Sequence, residues 1–290
     1  SNMAFMVTSL IFLKIAGGMG IDEVAAVTTG QRLFFILFAV MLGLSSGTTA
    51  LVGRYWGAGD KVRAGRVAAL SVIIFFINGL LLSWLAIPFL EPLVSIFGLT
   101  PMAQILAVEF VFYTVLYAPP LLIMLVFSMA FRATGDSKTP LWAAVIGAVL
   151  GIYAGIAFTY GWHEIEPAGL PGLAIGNGVG SIATIVIFLL LWICGKLSFK
   201  PANPIPDLLT NGRDLVKIGM PAAFEQLFFQ SGLIIFLVFL ASYGNAAFAT
   251  YGIGLTILGL MIVIALSFSI SSATLVSQHL GAGDKQGAYN

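Results

Sequence analysis

Ionisable side chains are scarce in this chain of 290 residues: charged residues make up 9% of it, with two histidines and one cysteine. A single thiol, Cys194, excludes an internal disulfide framework and any metal cluster built on cysteines. Its surroundings, IVIFLLLWICGK, predict a buried and inert thiol. His163 and His279 fall in loops without neighbouring ligands, so no metal centre is expected. No paired nucleophile and base stands out, which argues against an enzyme. Thirteen Lys and Arg against twelve Asp and Glu leave a net charge of +1, and with it no electrostatic case for a nucleic-acid partner. No basic leader precedes the first apolar run, so a cleaved signal peptide is not expected.

Apolar surface takes the place of charge. Hydrophobic residues reach 59%, 23 of them Phe, and the mean hydropathy is +1.04, more than one soluble core can hide. The expected fold class is an all-α membrane protein, because backbone groups in lipid must find partners within their own segment. A crossing takes about 20 apolar residues. Such runs lie near 3–16, 33–52, 67–90, 102–131, 139–160, 173–194, 215–241 and 247–276. The first is too short to cross alone, so the chain is expected to begin inside its first helix.

The chain also resembles itself. Residues 20–64 align without gaps on residues 244–288, a shift of 224 that pairs Gly20 with Gly244, Ala25 with Ala249, Gly30 with Gly254 and GAGDK at 57–61 with GAGDK at 281–285. Solenoid repeats run to about 20–50 residues, so this period implies two large halves instead. The expected domains are a six-helix lobe over 1–194, a cytoplasmic linker over 195–214 and the start of a second lobe over 215–290, cut after two helices. The linker reads LSFKPANPIPDLLTNGRD, with Asp207 as the expected cap of a short interfacial helix. An even number of spans per repeat gives both halves one orientation and a pseudo-axis along the membrane normal.

Basic residues orient the bundle. The loops after the second, fourth and sixth spans and the tail after the eighth collect eleven of the thirteen Lys and Arg: Arg54, Lys61, Arg63, Arg66, Arg132, Lys138, Lys196, Lys200, Arg213, Lys217 and Lys285. That side is cytoplasmic by the positive-inside rule, as is the N-terminus of the complete protein, in a multi-pass plasma-membrane protein. Opposite loops hold Asp22, Glu23, Glu91, Glu164 and Glu166, with Lys14 and Arg32 close enough to the outer face to snorkel.

The segments GLSSGTTALVGRYWGAGD and SFSISSATLVSQHLGAGD, with FRATGDSKTP at 131–140, resemble the multidrug and toxic compound extrusion (MATE) family of secondary transporters. In that family the loops after the second and eighth helices carry a Gly-x-Gly-Asp turn, and the loop after the fourth reads Arg-Gly-x-Gly-Asp-x-(Lys/Arg)-x-Pro. Arg132, Gly135, Asp136, Lys138 and Pro140 fill the latter, with Ala133 at its first Gly. The resemblance spans essentially the whole chain and implies eight of twelve helices of a two-lobe, inverted-V bundle. Read on their own chemistry, Gly57, Gly59, Asp60, Gly135, Asp136, Gly281, Gly283 and Asp284 make tight turns, glycine supplying positive φ and aspartate the next helix cap. The functional alternative is a latch on the inward gate through salt bridges, with Arg132 among its members. A phosphate loop is excluded, since GAGDK lacks the Ser/Thr and spacing it needs.

A charge at the bilayer centre costs from about 3 to above 10 kcal/mol, so polar residues within spans are the site candidates. Glu225 leads, one turn past Pro221, beside Gln226 and ahead of Gln230. The resemblance supports it, since many members carry a carboxylate at this Gly-x-Pro-x-x-x-Glu position. A buried carboxylate there can bind a proton or Na⁺ and release it when its neighbours change. The structural alternative is a pair with Lys217 or Arg213 near the interface. Glu109 is expected in the outer part of the fourth helix, as an interface residue or a cavity liner. Gln31 and Arg32 are expected to open the second helix from outside, Arg32 pairing with Asp22 or Glu23. Pro119 and Pro120 should kink the fourth helix and Pro221 bend or cap the seventh, which makes all three hinge candidates.

Two positions depart from the family. Phe12 stands where several bacterial members place an Asp, and Gly151 and Gly155 occupy the fifth helix where members often carry Asn. The first lobe is therefore expected to lack acidic and amide ligands, which moves coupling to Glu225. The resemblance implies a secondary exporter without cofactor, in which Na⁺ or H⁺ is exchanged for amphipathic, often cationic, drug-like molecules by a monomer in the bilayer. A flippase for lipids or lipid-linked oligosaccharides and a truncated, non-transporting membrane protein are the alternatives.

Overall fold

A computed structural model of the chain describes residues 2–162, 166–194, 203–241, 261–262, 265 and 267–289. His163, Glu164, Lys196, Lys200, Gly244, Ala249, Gly254 and most of the expected span 247–276 lie outside the described residues. The rest form an all-helical bundle. In order they are α1 (Asn2–Met19), α2 (Ile21–Gly57), α3 (Lys61–Ala86), a 3-10 turn (Ile87–Phe89), α4 (Leu90–Ser95), α5 (Pro101–Leu116), α6 (Ala118–Ala133), α7 (Lys138–Tyr160), α8 (Pro171–Ile193), a second 3-10 turn (Ile205–Asp207), α9 (Leu208–Ala241) and α10 (267–281). Among the described residues four helical stretches, at Ile21–Gly57, Lys61–Ser95, Lys138–Tyr160 and Pro171–Ile193, are long and apolar enough to cross a membrane. The bent pair α5 and α6 makes a fifth.

The second helix is longer than its apolar run. α2 spans 37 residues, about 55 Å, against a hydrocarbon layer of about 30 Å. Asp22 and Glu23, expected in a loop, form its first turn, where acids favour the positive end of the helix dipole. Gln31 and Arg32 consequently lie three turns inside the helix rather than at its mouth. Arg32 is about 15 Å along the axis from Asp22, too far for the expected pair. Asp22 instead accepts a hydrogen bond from the Thr100 hydroxyl at 2.7 Å, at the start of α5.

A 53° bend separates α5 from α6. Pro119 has no N–H for the carbonyl of Val115, four residues back. The Ser83 hydroxyl of α3 supplies the missing donor at 2.6 Å. One turn earlier, Gly79 leaves room for Pro119 itself, whose backbone lies where a Cβ on Gly79 would stand.

Glycine sets the closest helix contacts. Gly147, Gly151 and Gly155 of α7 face Gly172, Gly176 and Gly180 of α8, so the two backbones touch along three turns. α9 meets α2 in the same way, with Gly43 against the backbone of Ala222 and Ala223, and Gly47 against the Leu215 carbonyl. Aromatic rings fill the wider gap between α6 and α8: Phe127, Phe131, Phe188 and Trp192 are buried, with Phe127 and Phe188 centroids 5.6 Å apart.

α9 begins seven residues before the expected span. Asp207, expected as a helix cap, sits in the preceding turn, where its carboxylate bonds Arg66 of α3 at 2.7 Å. The Tyr55 hydroxyl adds a bond to Asn211 at 3.2 Å. These ties dock the 3-10 turn and the first turn of α9 on α3 and α2. Cys194 is exposed rather than buried, because it follows the last residue of α8 and turns outward there.

Candidate functional site

α1, α2, α5 and α8 enclose a narrow cleft. Thr8, Ser9 and Phe12 reach it from α1, Gly30, Gln31, Phe34 and Phe35 from α2, Phe110 and Thr114 from α5, and Asn177 from α8. Its volume is about 30 Å³, room for a water-sized guest and far below the roughly 300 Å³ or more of a drug pocket. Thr8 and Thr114 donate their hydroxyl hydrogens to the carbonyls of Ala4 and Phe110. Their lone pairs remain as acceptors beside the Gln31 and Asn177 amides. Among the described residues no carboxylate lines the cleft.

The sequence reading denied this lobe amide ligands, and the structure corrects it: Gln31 and Asn177 supply two. Asn177 sits in the glycine-rich first half of α8. The two family departures turn out to be neighbours. Phe12 is buried, and its ring packs on Gly155, in the space a side chain on Gly155 would need. An aromatic plug thus fills the corner of the cleft.

The other candidates divide. Gln230 of α9 donates to the carbonyl of Phe35 at 3.4 Å, which brings α9 to the edge of the cleft near Gln31. Gln226 is half-buried one turn before it. Glu225, expected to be buried, is exposed among the described residues. Ala223 faces α2, and two further residues turn the helix by about 200°, so Glu225 points away from that contact. It lies about 15 Å further along α9 than Leu215, and it forms no ion pair with Lys217 or Arg213. Glu109 is exposed on α5, off the cleft, although its neighbour Phe110 lines it. Pro221 lies within α9, which continues through it.

Three loops share one turn. Gly59, Gly135 and Gly283 have φ of 77°, 88° and 77°. The amides of Asp60, Asp136 and Asp284 reach back to the carbonyls of Tyr55, Phe131 and His279, closing each helix with a Schellman-type turn. The aspartates then face forward. Asp60 accepts from the Arg63 amide, Asp136 from those of Lys138 and Thr139, and Asp284 from Gly287. The Gly287 amide and the His279 ring hold the Asp284 carboxyl below the usual carboxylate range. A lowered value means that the anchoring is complete above about pH 4 and is lost as pH falls through the lower folded value. Protection of the Gly287 amide from hydrogen exchange, taken relative to its intrinsic rate at each pH, should therefore fall only in acid, and Asp284→Asn should remove that dependence.

These loops gather at the basic end of the bundle. Gly53 lies against the Ser277 side chain, and the Gln278 amide donates to the Ala133 carbonyl at 2.7 Å. Arg132 is half-buried beside them.

Such a bundle, with glycine-packed apolar helices and a few polar groups held at depth, is a multi-pass membrane protein. The MatE family model matches residues 1–156 and 221–290, and the chain belongs to that family, whose members are transporters and not enzymes. The probable multidrug resistance protein YoeA of Bacillus subtilis is 25% identical over 98% of this chain and 62% of its own length. The FAD transporter of Shewanella oneidensis is 24% identical over 93% of this chain and 60% of its own. A MOP superfamily transporter from Pyrococcus furiosus has the same fold, with a TM-score of 0.86 at 22% identity over 99% of this chain and 64% of that one. The chain therefore spans about three fifths of the length of the curated relatives it matches.

Proposed function

We propose that this chain forms the first lobe, and the opening helices of the second, of an exporter that exchanges Na⁺ or H⁺ for amphipathic small molecules by alternating access. The observation that carries this reading is the placing of Glu225, a titratable group deep on α9, above a bundle whose basic end is closed by α2, α6 and α10. The basic end is cytoplasmic in this reading. The carboxylate is then open to ions arriving from outside. The first-lobe cleft, plugged by Phe12 and without an acid, serves as a water or ion-sized annex through Gln31 and Asn177. A drug-sized cargo needs the larger space between lobes.

The name of the Shewanella relative points to a second cargo, an anionic dinucleotide. Lys14 and Arg32 are the only cations of this chain expected toward the outer face, which favours neutral or cationic cargo. Export assays of dye and of FAD, side by side, separate the two. Orientation has its own test in Cys194, the one thiol in the chain and exposed at the end of α8. A membrane-impermeant maleimide should label it in inverted vesicles and leave it unlabelled in intact cells. Labelling in intact cells would reverse the assigned topology.

A further inference from the structure

α9 fills the furrow between α2 and α3 only in its basic half. There Asp207 pairs with Arg66 of α3, a Cβ on Gly212 would stand 4.0 Å from the Leu70 side chain, and Gly43 and Gly47 of α2 receive the α9 backbone. Further out the contact moves to the Phe35 carbonyl, which accepts from the Gln230 amide. Phe35 and Leu37 are two residues apart on α2, about 200° around the helix, so α9 at that level stands on the far side of α2 from Leu37. The furrow it leaves open is an apolar groove of about 390 Å³. Leu37 of α2, Leu82 and Ala86 of α3, Phe89 of the 3-10 turn, and Leu93 and Ile96 of α4 line it, and every side chain on its wall is hydrocarbon.

The depth of the groove follows from the helix rise. Leu37 is about 25 Å from Arg54 along α2, and Leu82 about 24 Å from Arg66 along α3, against about 30 Å of hydrocarbon. With the basic end cytoplasmic, the groove lies in the outer leaflet. It is a recess apart from the general lipid face of α3. Trp84, 73% exposed, belongs to that face and stands about 200° around the helix from Leu82 and from Ala86. The size is that of a small-molecule site, which takes about 300 Å³ or more, but the polar groups that orient a drug are missing from its wall. Water finds no partners there either. The guest that fits is a flexible hydrocarbon chain.

We infer that the groove holds one acyl chain of an outer-leaflet phospholipid, which continues through the outer half of the furrow the packing that α9 provides in the basic half. Escape from water does not drive such binding within a bilayer, so the chain is held by close contact with walls from α2, α3 and α4.

The test begins with the unmodified chain, purified in mild detergent from membranes that carry a phospholipid with a diazirine in its acyl tail. Once bulk lipid is washed away, native mass spectrometry should find one phospholipid on each chain, and irradiation should attach it at Leu37 or within 82–96. Ala86→Phe, which puts a ring into the groove, and Leu82→Asn, which puts an amide there, should each lower the retained lipid about fivefold or more. Val149→Asn, a similar change at a 61% exposed position of α7, should leave it unchanged. A monodisperse unmodified chain without bound lipid, adducts confined to other helices, or full retention by both groove variants overturns the inference. A form extended by four further helices decides between lipid and protein as the occupant. Adducts at the same residues support the lipid, and their loss would give the groove to those helices. None of these readouts depends on transport, so an inactive chain with a bound lipid loses the export reading alone. Labelling of Cys194 in intact cells would place the groove in the inner leaflet and overturn the leaflet assigned here.

Discussion

Gly176→Leu will separate α7 from α8 and leave little folded protein. A Cβ at this position would meet the Cα and N of Gly155 and the carbonyl of Gly151. All three are backbone, and none can move aside without displacing a whole helix. Overpacking a well-packed interior costs about 1–3 kcal/mol even where side chains can yield. Here the loss should reach the upper end of that range or beyond, a large share of a membrane bundle's margin. Gly18→Ala is the matched control. Nothing lies within 4 Å of a Cβ on Gly18, which sits inside α1, so alanine there should be neutral or stabilising by up to about 1 kcal/mol. Thermal aggregation of detergent-solubilised protein, followed by size exclusion, reads both. Equal stability of Gly176→Leu and the unmodified chain would show that α7 and α8 are not in backbone contact.

Glu225→Gln should abolish gradient-driven export and leave the fold intact. The side chain is exposed on the face of α9 turned from α2, with no ion pair among the described residues, so the stability change should stay within about 0.5 kcal/mol. Its effect should fall on coupling, because glutamine keeps the size of the carboxyl but takes up no proton and, without the charge, holds Na⁺ far more weakly. Substrate binding should survive, while release should no longer respond to the cation gradient. Glu225→Asp, which preserves the charge on a shorter stem, should keep part of the activity. Full export by Glu225→Gln would remove this residue from the mechanism.

The sequence disclosed features whose physics is local. The Gly-x-Gly-Asp turns were legible because a positive φ at Gly59 and Gly283 and a cap from Asp60 depend only on a few neighbouring residues. Spans two to six were legible because lipid demands long apolar runs. Hydropathy misplaced the start of α2, since Asp22, Glu23, Gln31 and Arg32 are polar yet compatible with helix, and a helix does not stop where the membrane does. The cleft was legible only in Gln31. Thr8, Thr114 and Asn177 come from three other helices, and no spacing along the chain announces that they converge. Gly155 read as a missing ligand, and only the ring of Phe12 against it shows what fills the space. Cys194 was misplaced by its apolar neighbours, because burial at a helix end depends on which way the last turn faces.

Efflux from proteoliposomes tests the account's central claim most directly. The chain, and a form extended by four further helices, would be reconstituted with a cationic dye inside and an imposed Na⁺ or proton gradient, alongside their Glu225→Gln variants. The account predicts gradient-dependent dye efflux from the active form and none from its Glu225→Gln counterpart. Efflux indifferent to both gradients, or equal with glutamine at 225, would contradict it.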